Sequence, residues 1–212
     1  MNKYTKIAVL GGGGRTGKYV ISQLLEKEYN IKILLRNPEI FHIKSALIEI
    51  IQGNATDFNA VNKLVSGCSA VISTIGQRIG EPLVAAQATK NVLHAMSNHG
   101  LTRYVLVAGI NIDTPFDHKG SETIVATDYM KANFPLIQDD RQKTYDLLVH
   151  SAVNWTLVRV PFIDFSDGSG RIRVNLQDSL GNKIDAGNIA TFLIQQLSED
   201  LYFKKAPFIC NS

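Results

Sequence analysis

The residues best placed to do chemistry are Gly11-Gly12-Gly13-Gly14-Arg15-Thr16-Gly17, which follow the apolar run Lys6–Leu10 and open a helical pattern. A Gly-x-Gly-x-x-Gly spacing falls on Gly12, Gly14 and Gly17, and a Gly-x-x-Gly-x-x-Gly spacing on Gly11, Gly14 and Gly17. Residues without Cβ turn sharply and let the backbone approach a ligand. The amides of the helix start can then meet an anion, which the helix dipole favours. Strand, glycine loop and helix together make a phosphate cradle, with Gly11, Gly14, Arg15, Thr16 and Gly17 as candidate contacts. Arg36 stands 19 positions after Gly17. In a dinucleotide site an acid near there binds the ribose 2′-hydroxyl, whereas an arginine accommodates a 2′-phosphate. The sequence neighbours of Arg36 are Leu34, Leu35 and Asn37, with no acid among them, and Arg15 could add a second positive charge. The expected cofactor is therefore NADP(H) in preference to NAD(H). In Gly53-Asn54-Ala55-Thr56-Asp57, Asn54 and Ala55 are candidates for the adenine edge, and Asp57 for a helix cap.

Chemistry on an alcohol or ketone calls for a proton-transfer side chain. One solution is a Tyr four residues before a Lys, where the Lys lowers the phenol pKa. None of Tyr4, Tyr19, Tyr29, Tyr104, Tyr129, Tyr145 and Tyr202 has a Lys at that spacing. The run Arg103–Ala108 leads into Gly109-Ile110-Asn111, with no Ser or Thr. His42, His94, His99 and His150 have no ligand spacing. His118 lies in an irregular stretch that could hang over the site, so it and Arg78 are the candidate catalytic residues. Cys68 and Cys210 are far apart and lack metal-ligand spacing; buried reduced thiols, a cytoplasmic location and no metal are expected.

The elements that must position these groups alternate in type. Strands are predicted over 6–10, 31–36, 47–51, 70–75, 103–108 and 155–160, and helices over 15–28, 58–66, 82–99 and 138–150. This alternation implies an α/β fold: a doubly wound, mainly parallel sheet with helices on both faces. Ligands in such sheets bind beyond the carboxyl ends of the strands. That rule brings Gly76, Arg78, Ala108, Gly109, Val160, Pro161 and Phe162 into the candidate site. Residues 1–212 read as one domain, with 109–137 and 161–183 as excursions on the substrate side. The 45% hydrophobic content suits a packed core, and 19% charge argues against disorder. The net charge of +3 is scattered, without the Lys/Arg run that nucleic acid or a membrane surface would call for. No signal peptide and no bilayer-spanning apolar run are read. The expected partner is a small-molecule acceptor.

The glycine loop resembles the Gly-Ala-Thr-Gly-x-Thr-Gly of the atypical short-chain dehydrogenase/reductase family. The resemblance extends over nearly the whole chain toward the biliverdin-IXβ/flavin reductase and NmrA-like groups. It is carried by Ile33-Leu34-Leu35-Arg36-Asn37, Ile75-Gly76-Gln77-Arg78, the span 91–105, Asp139-Asp140-Arg141 with Leu147–Ser151, and 155–163. It implies a Rossmann domain in which Arg78 lies beside cofactor and substrate. Two departures fall at the substrate end: the reductase group has Ser at the place of Gly109 and His at the place of Phe162. Phe162 and Phe165 would make that end more apolar. The reading that follows is an NADP-dependent oxidoreductase passing hydride to a flat flavin, quinone or tetrapyrrole-like acceptor. The alternative is a non-catalytic NADP-binding redox sensor similar to NmrA-like regulators. A sugar-nucleotide epimerase or dehydratase ranks third, because that chemistry needs the Tyr–Lys pair.

Overall fold

Ile7, Ala8, Val9 and Leu10 are all fully buried. The strand they form, β1 (Lys6–Leu10), is covered on both faces, as a continuous apolar strand requires. Ile7 and Val9 enter one apolar cluster, and Ala8 and Leu10 the other. The computed structural model describes residues 6–78, 80–168 and 170–212. On one side of β1 lie β2 (Asn30–Leu35) and then β3 (Ile48–Gln52). On the other side lie β4 (Ala70–Ser73), β5 (Arg103–Gly109) and β6 (Asn154–Val160). All these neighbours pair in parallel. The sheet continues with β10 (Phe208–Asn211), parallel to β6, and ends with β8 (Ile172–Asn175), antiparallel to β10. A separate parallel pair joins β7 (Phe162–Asp164) to β9 (Lys183–Asp185).

One face of the sheet is covered by α1 (Gly17–Glu26), through Val20, Ile21 and Leu24, and by α6 (Ala186–Gln195). The other is covered by α2 (Phe58–Val65), α3 (Ala85–His99) and α5 (Pro135–Val149). Local chemistry fixes the helix ends. Asp57 caps α2 by accepting the Asn59 N–H at 2.9 Å. At the end of α3, Gly100 takes the left-handed conformation with φ 67°, and His99 stands in the last turn. Val84, which precedes α3, supplies no side-chain cap. Asp140 of α5 does so from outside, accepting the N–H groups of Ala85 and Ala86 at 2.8 and 3.2 Å.

The doubly wound, mainly parallel sheet is the architecture expected from the sequence. The differences lie in the excursions. Residues 109–137 hold a full helix, α4 (Ser121–Asn133), and α5 starts at Pro135 rather than at Gln138. Helix α4 buries Thr123 and Thr127 while Ile124, Val125 and Tyr129 face outward. An apolar-inward periodicity therefore never marked it. Among the described residues no helix is long and apolar enough to cross a membrane.

Candidate functional site

The strand order reverses between β1 and β4, and a cleft opens along the carboxyl ends of the strands there. Its volume is about 1000 Å³, at the upper end for small-molecule sites. The ends of β3, β2, β1, β4, β5 and β6 all contribute to its walls. Of the residues singled out from the sequence, Gly11, Gly14, Arg15, Thr16, Arg36, Asn54, Ala55, Gly76, Arg78, Ala108, Gly109, Val160 and Pro161 line it. Gly17, Phe162 and His118 are not among the lining residues.

The glycine loop is built by close approach. Gly11 has φ +76°, and a Cβ there would stand 2.8 Å from the Thr74 carbonyl carbon. A Cβ on Gly17 would stand 2.1 Å from the Gly11 oxygen, so this glycine seats α1 against the end of β1. Thr16 precedes α1 without capping it, and no acid stands in the first turn. The starts of α1 and α3 thus differ: Asp140 seals α3, whereas the amides of α1 meet no side-chain cap and can receive an anion. The Arg15 guanidinium lies 4.3 Å from the centre of the Phe165 ring, and the Tyr19 hydroxyl donates to the Phe165 carbonyl at 2.7 Å. These contacts hold the chain after β6 against the loop. They also give Arg15 an aromatic stacking partner.

At the β2 end, Arg36 is not alone. Its Nη1 donates to Glu81 Oε2 at 2.8 Å and its Nη2 to Glu81 Oε1 at 3.3 Å. Arg78 reaches the same carboxylate at 3.4 Å. The acid missing from the sequence neighbourhood of Arg36 therefore comes from the loop after β4, and Arg36 holds the Glu81 carboxyl below the usual range. Arg78, with 67% of its side chain exposed, is turned to this cluster at the β2 end. Asn54 Oδ1 accepts from the Thr56 N–H at 3.1 Å, so its side chain shapes the turn that lines the cleft.

The other end is walled by Ile75, Val107, Met130, Phe134, Ile137, Val160 and Ile163, with two polar groups placed among them. Asn111 and Gln138 form a buried amide pair: Asn111 Nδ2 donates to Gln138 Oε1, and Gln138 Nε2 donates to the Asn111 carbonyl at 2.9 Å. A Cβ on Gly109 would stand 2.2 Å from Asn111 Oδ1, so the asparagine amide fills the space that a side chain at 109 would take. Arg141, half-buried in the wall, donates to the Ile75 carbonyl at 2.9 Å. It is the cation of this end of the cleft, a part expected of Arg78. Arg141 and the α4–α5 wall were not selected from the sequence as site residues. The motif Asp139-Asp140-Arg141 was the signal that could have found the arginine.

Two placements are corrected. Phe162 is 80% exposed, because alternation along β7 turns Ile163 to the cleft instead. His118 is exposed, and its N–H donates to the Gln177 carbonyl beyond β8. The segment carrying it is held by the fully buried Arg159, whose Nη1 bonds Asp117 Oδ2 at 2.7 Å and the Ile112 carbonyl at 3.0 Å. Among the described residues no Tyr, Lys, His or Cys lines the cleft. Tyr104 lies on β5, but burial pushes its phenol up to about 12 and it is not a lining residue.

A doubly wound sheet with an uncapped helix start at its switch point is the architecture of a nucleotide-binding Rossmann domain. Residues 11–200 match the NAD(P)H-binding family, and the chain belongs to that family. It is 24% identical over 133 residues to cinnamoyl-CoA reductase 1 of Petunia hybrida, matching 56% of this chain and 39% of that relative. The match thus spans well under half the length of the curated relative. Among solved structures it is similar to a short-chain dehydrogenase/reductase from Veillonella parvula in complex with NADP. There the TM-score is 0.82 at 12% identity, covering 98% of this chain and 95% of that one. It is also similar to a candidate NADH-flavin reductase from Streptococcus pneumoniae. Here the TM-score is 0.78 at 18% identity, covering 98% and 100% of the two chains.

Proposed function

We propose that this chain is an NADP(H)-dependent oxidoreductase acting on a small, flat acceptor of the quinone or flavin kind. The carrying observation is the composition of the cleft. It joins an uncapped α1 N-terminus and two arginines, Arg36 and Arg78, at one end to apolar walls that, among the described residues, carry no proton-transfer side chain at the other. The α1 amides and Thr16 would hold the pyrophosphate, Arg36 the 2′-phosphate, and Gly53–Thr56 the adenine side. When bound, the reduced nicotinamide supplies a hydride. Ala108, Gly109, Val160 and Pro161 line the cleft at the β5 and β6 ends and would form the backbone-rich wall that holds that ring. Met130, Phe134 and Ile137 exclude water and suit an aromatic ring. The Asn111 amide, held by Gln138, can orient a carbonyl without donating its proton. Conversion of a quinone to a hydroquinone takes one hydride and one proton, and solvent can provide the proton. A ketone or alcohol needs stronger polarisation than this site provides.

The test is to follow NADPH absorbance with purified protein and, in turn, a benzoquinone, FMN, simple alcohols with NADP+, and buffer alone. Acceptor-dependent oxidation with quinone or flavin and none with alcohols is the expected result. The absence of a proton-transfer side chain at the apolar end, among the described residues, equally supports a second reading, a redox sensor that binds the nucleotide without turnover. Tight NADPH binding with no turnover across the panel would establish that reading in place of the enzyme.

A further inference from the structure

The ribose end of the cleft holds an arrangement that the cofactor reading does not use. Arg36 presents a two-nitrogen fork of the kind that binds phosphate or carboxylate. Both arms of the fork are occupied by the two oxygens of Glu81. Glu81 is carried by a loop whose ends are fixed from α5, by Arg141 on the Ile75 carbonyl and by Asp140 on the Ala85 and Ala86 amides. Within the loop, Gln77 Nε2 donates to the carbonyls of Arg78, Glu81 and Pro82 at 3.0, 2.9 and 3.2 Å. The Glu81 N–H returns to the Arg78 carbonyl at 3.2 Å. The loop is thus folded on itself in a form that points a carboxylate across the cleft to β2.

Resting on the proposed NADP(H) site, we propose that Glu81 is a specificity-determining residue, an internal anion seated where the 2′-phosphate binds. A carboxylate and a phosphate cannot share one guanidinium fork, and their charges repel. NADP(H) must therefore displace Glu81, after which Arg36 and Arg78 are both free to face the phosphate. The displacement is feasible because the pair is half-exposed, with 47% of the Arg36 and 37% of the Glu81 side chain accessible, and exposed ion pairs are weak. NAD(H) makes the opposite demand. Its 2′-hydroxyl can donate to the carboxylate, which stays paired with Arg36. Glu81 therefore lowers the NADP preference that Arg36 alone would give.

The experiment is equilibrium titration of NADPH and NADH, by nicotinamide fluorescence, into the unmodified protein and the Glu81→Gln, Glu81→Ala and Arg36→Ala variants. Thermal melting of each variant checks folding. Both Glu81 variants should bind NADPH about two- to fivefold more tightly, the size expected on removing one exposed opposing charge. NADH binding should stay level or weaken, so the NADPH/NADH ratio rises in both. Arg36→Ala should weaken NADPH and leave NADH nearly unchanged. An unchanged ratio in both Glu81 variants, with NADPH still weakened by Arg36→Ala, overturns the role of Glu81 and leaves the cofactor site standing. Arg36→Ala without effect on NADPH, or no nucleotide binding by any form, overturns the cofactor placement itself.

Discussion

Gly17 does not line the cleft, yet no side chain can replace its hydrogen. A methyl there would meet the Gly11 oxygen at 2.1 Å and the Gly12 Cα at 2.6 Å, both in backbone that cannot turn aside. Gly17→Ala is expected to cost about 1–3 kcal/mol or more, the usual range for overpacking, and to weaken NADPH binding by shifting α1. Gly76→Ala is the control. It lines the same cleft, but nothing stands within 4 Å of its added Cβ, so its melting temperature should barely move. A thermal melt of the two variants decides this, and equal losses would contradict it. The glycine spacing was legible in the sequence because each position answers a local demand. The pairing of Arg36 was not, because its acid lies 45 residues away in a loop whose path depends on α5. Arg78 shows the same limit. Its place after β4 could be read, but its turn to Glu81 rather than to the β5 end depends on how that loop folds.

At the scale of elements, α5 organises the site more than any strand end does. It seals α3 with Asp140, holds the end of β4 with Arg141, and braces Asn111 with Gln138. Asp140→Ala removes both oxygens from the α3 start and is expected to cost about 0.5–2 kcal/mol. For a chain of this size that lowers the melting temperature by roughly 2–4 °C per kcal/mol. Asp140→Asn keeps one acceptor oxygen and should lose less. A melt that ranks the two the other way would remove the capping role. Helices α1, α2 and α3 were readable because their apolar faces turn inward at helical spacing. The opposite holds for α4, which buries threonines and exposes Val125, so its sequence resembles a loop. Strand β7 is only three residues long, too short for alternation to reveal that Ile163 and not Phe162 faces the cleft. His118 was read as overhanging the site because nothing in the sequence links Asp117 to Arg159. Their pairing instead pins that segment toward β8 and β10.

The whole molecule follows the alternation of strand and helix from Lys6 to Val160, and apart from α4 this part of the architecture was legible. The closing part, with α6 covering one face and the antiparallel β8 ending the sheet, was not read. The strand β8 is short and half-buried, and its place depends on β10, which comes later in the chain. The switch point between β1 and β4 follows from the topology, and the family match agrees with it. The central claim is that one nicotinamide dinucleotide lies along the strand ends from the glycine loop to β6. The most direct test is amide hydrogen exchange across the whole chain with and without NADPH. Slowed exchange is expected at 11–16, 36–37, 53–56 and 107–111, with the outer faces of α3 and α6 unchanged. No slowing at 11–16, or slowing confined to surfaces away from the strand ends, would contradict the account.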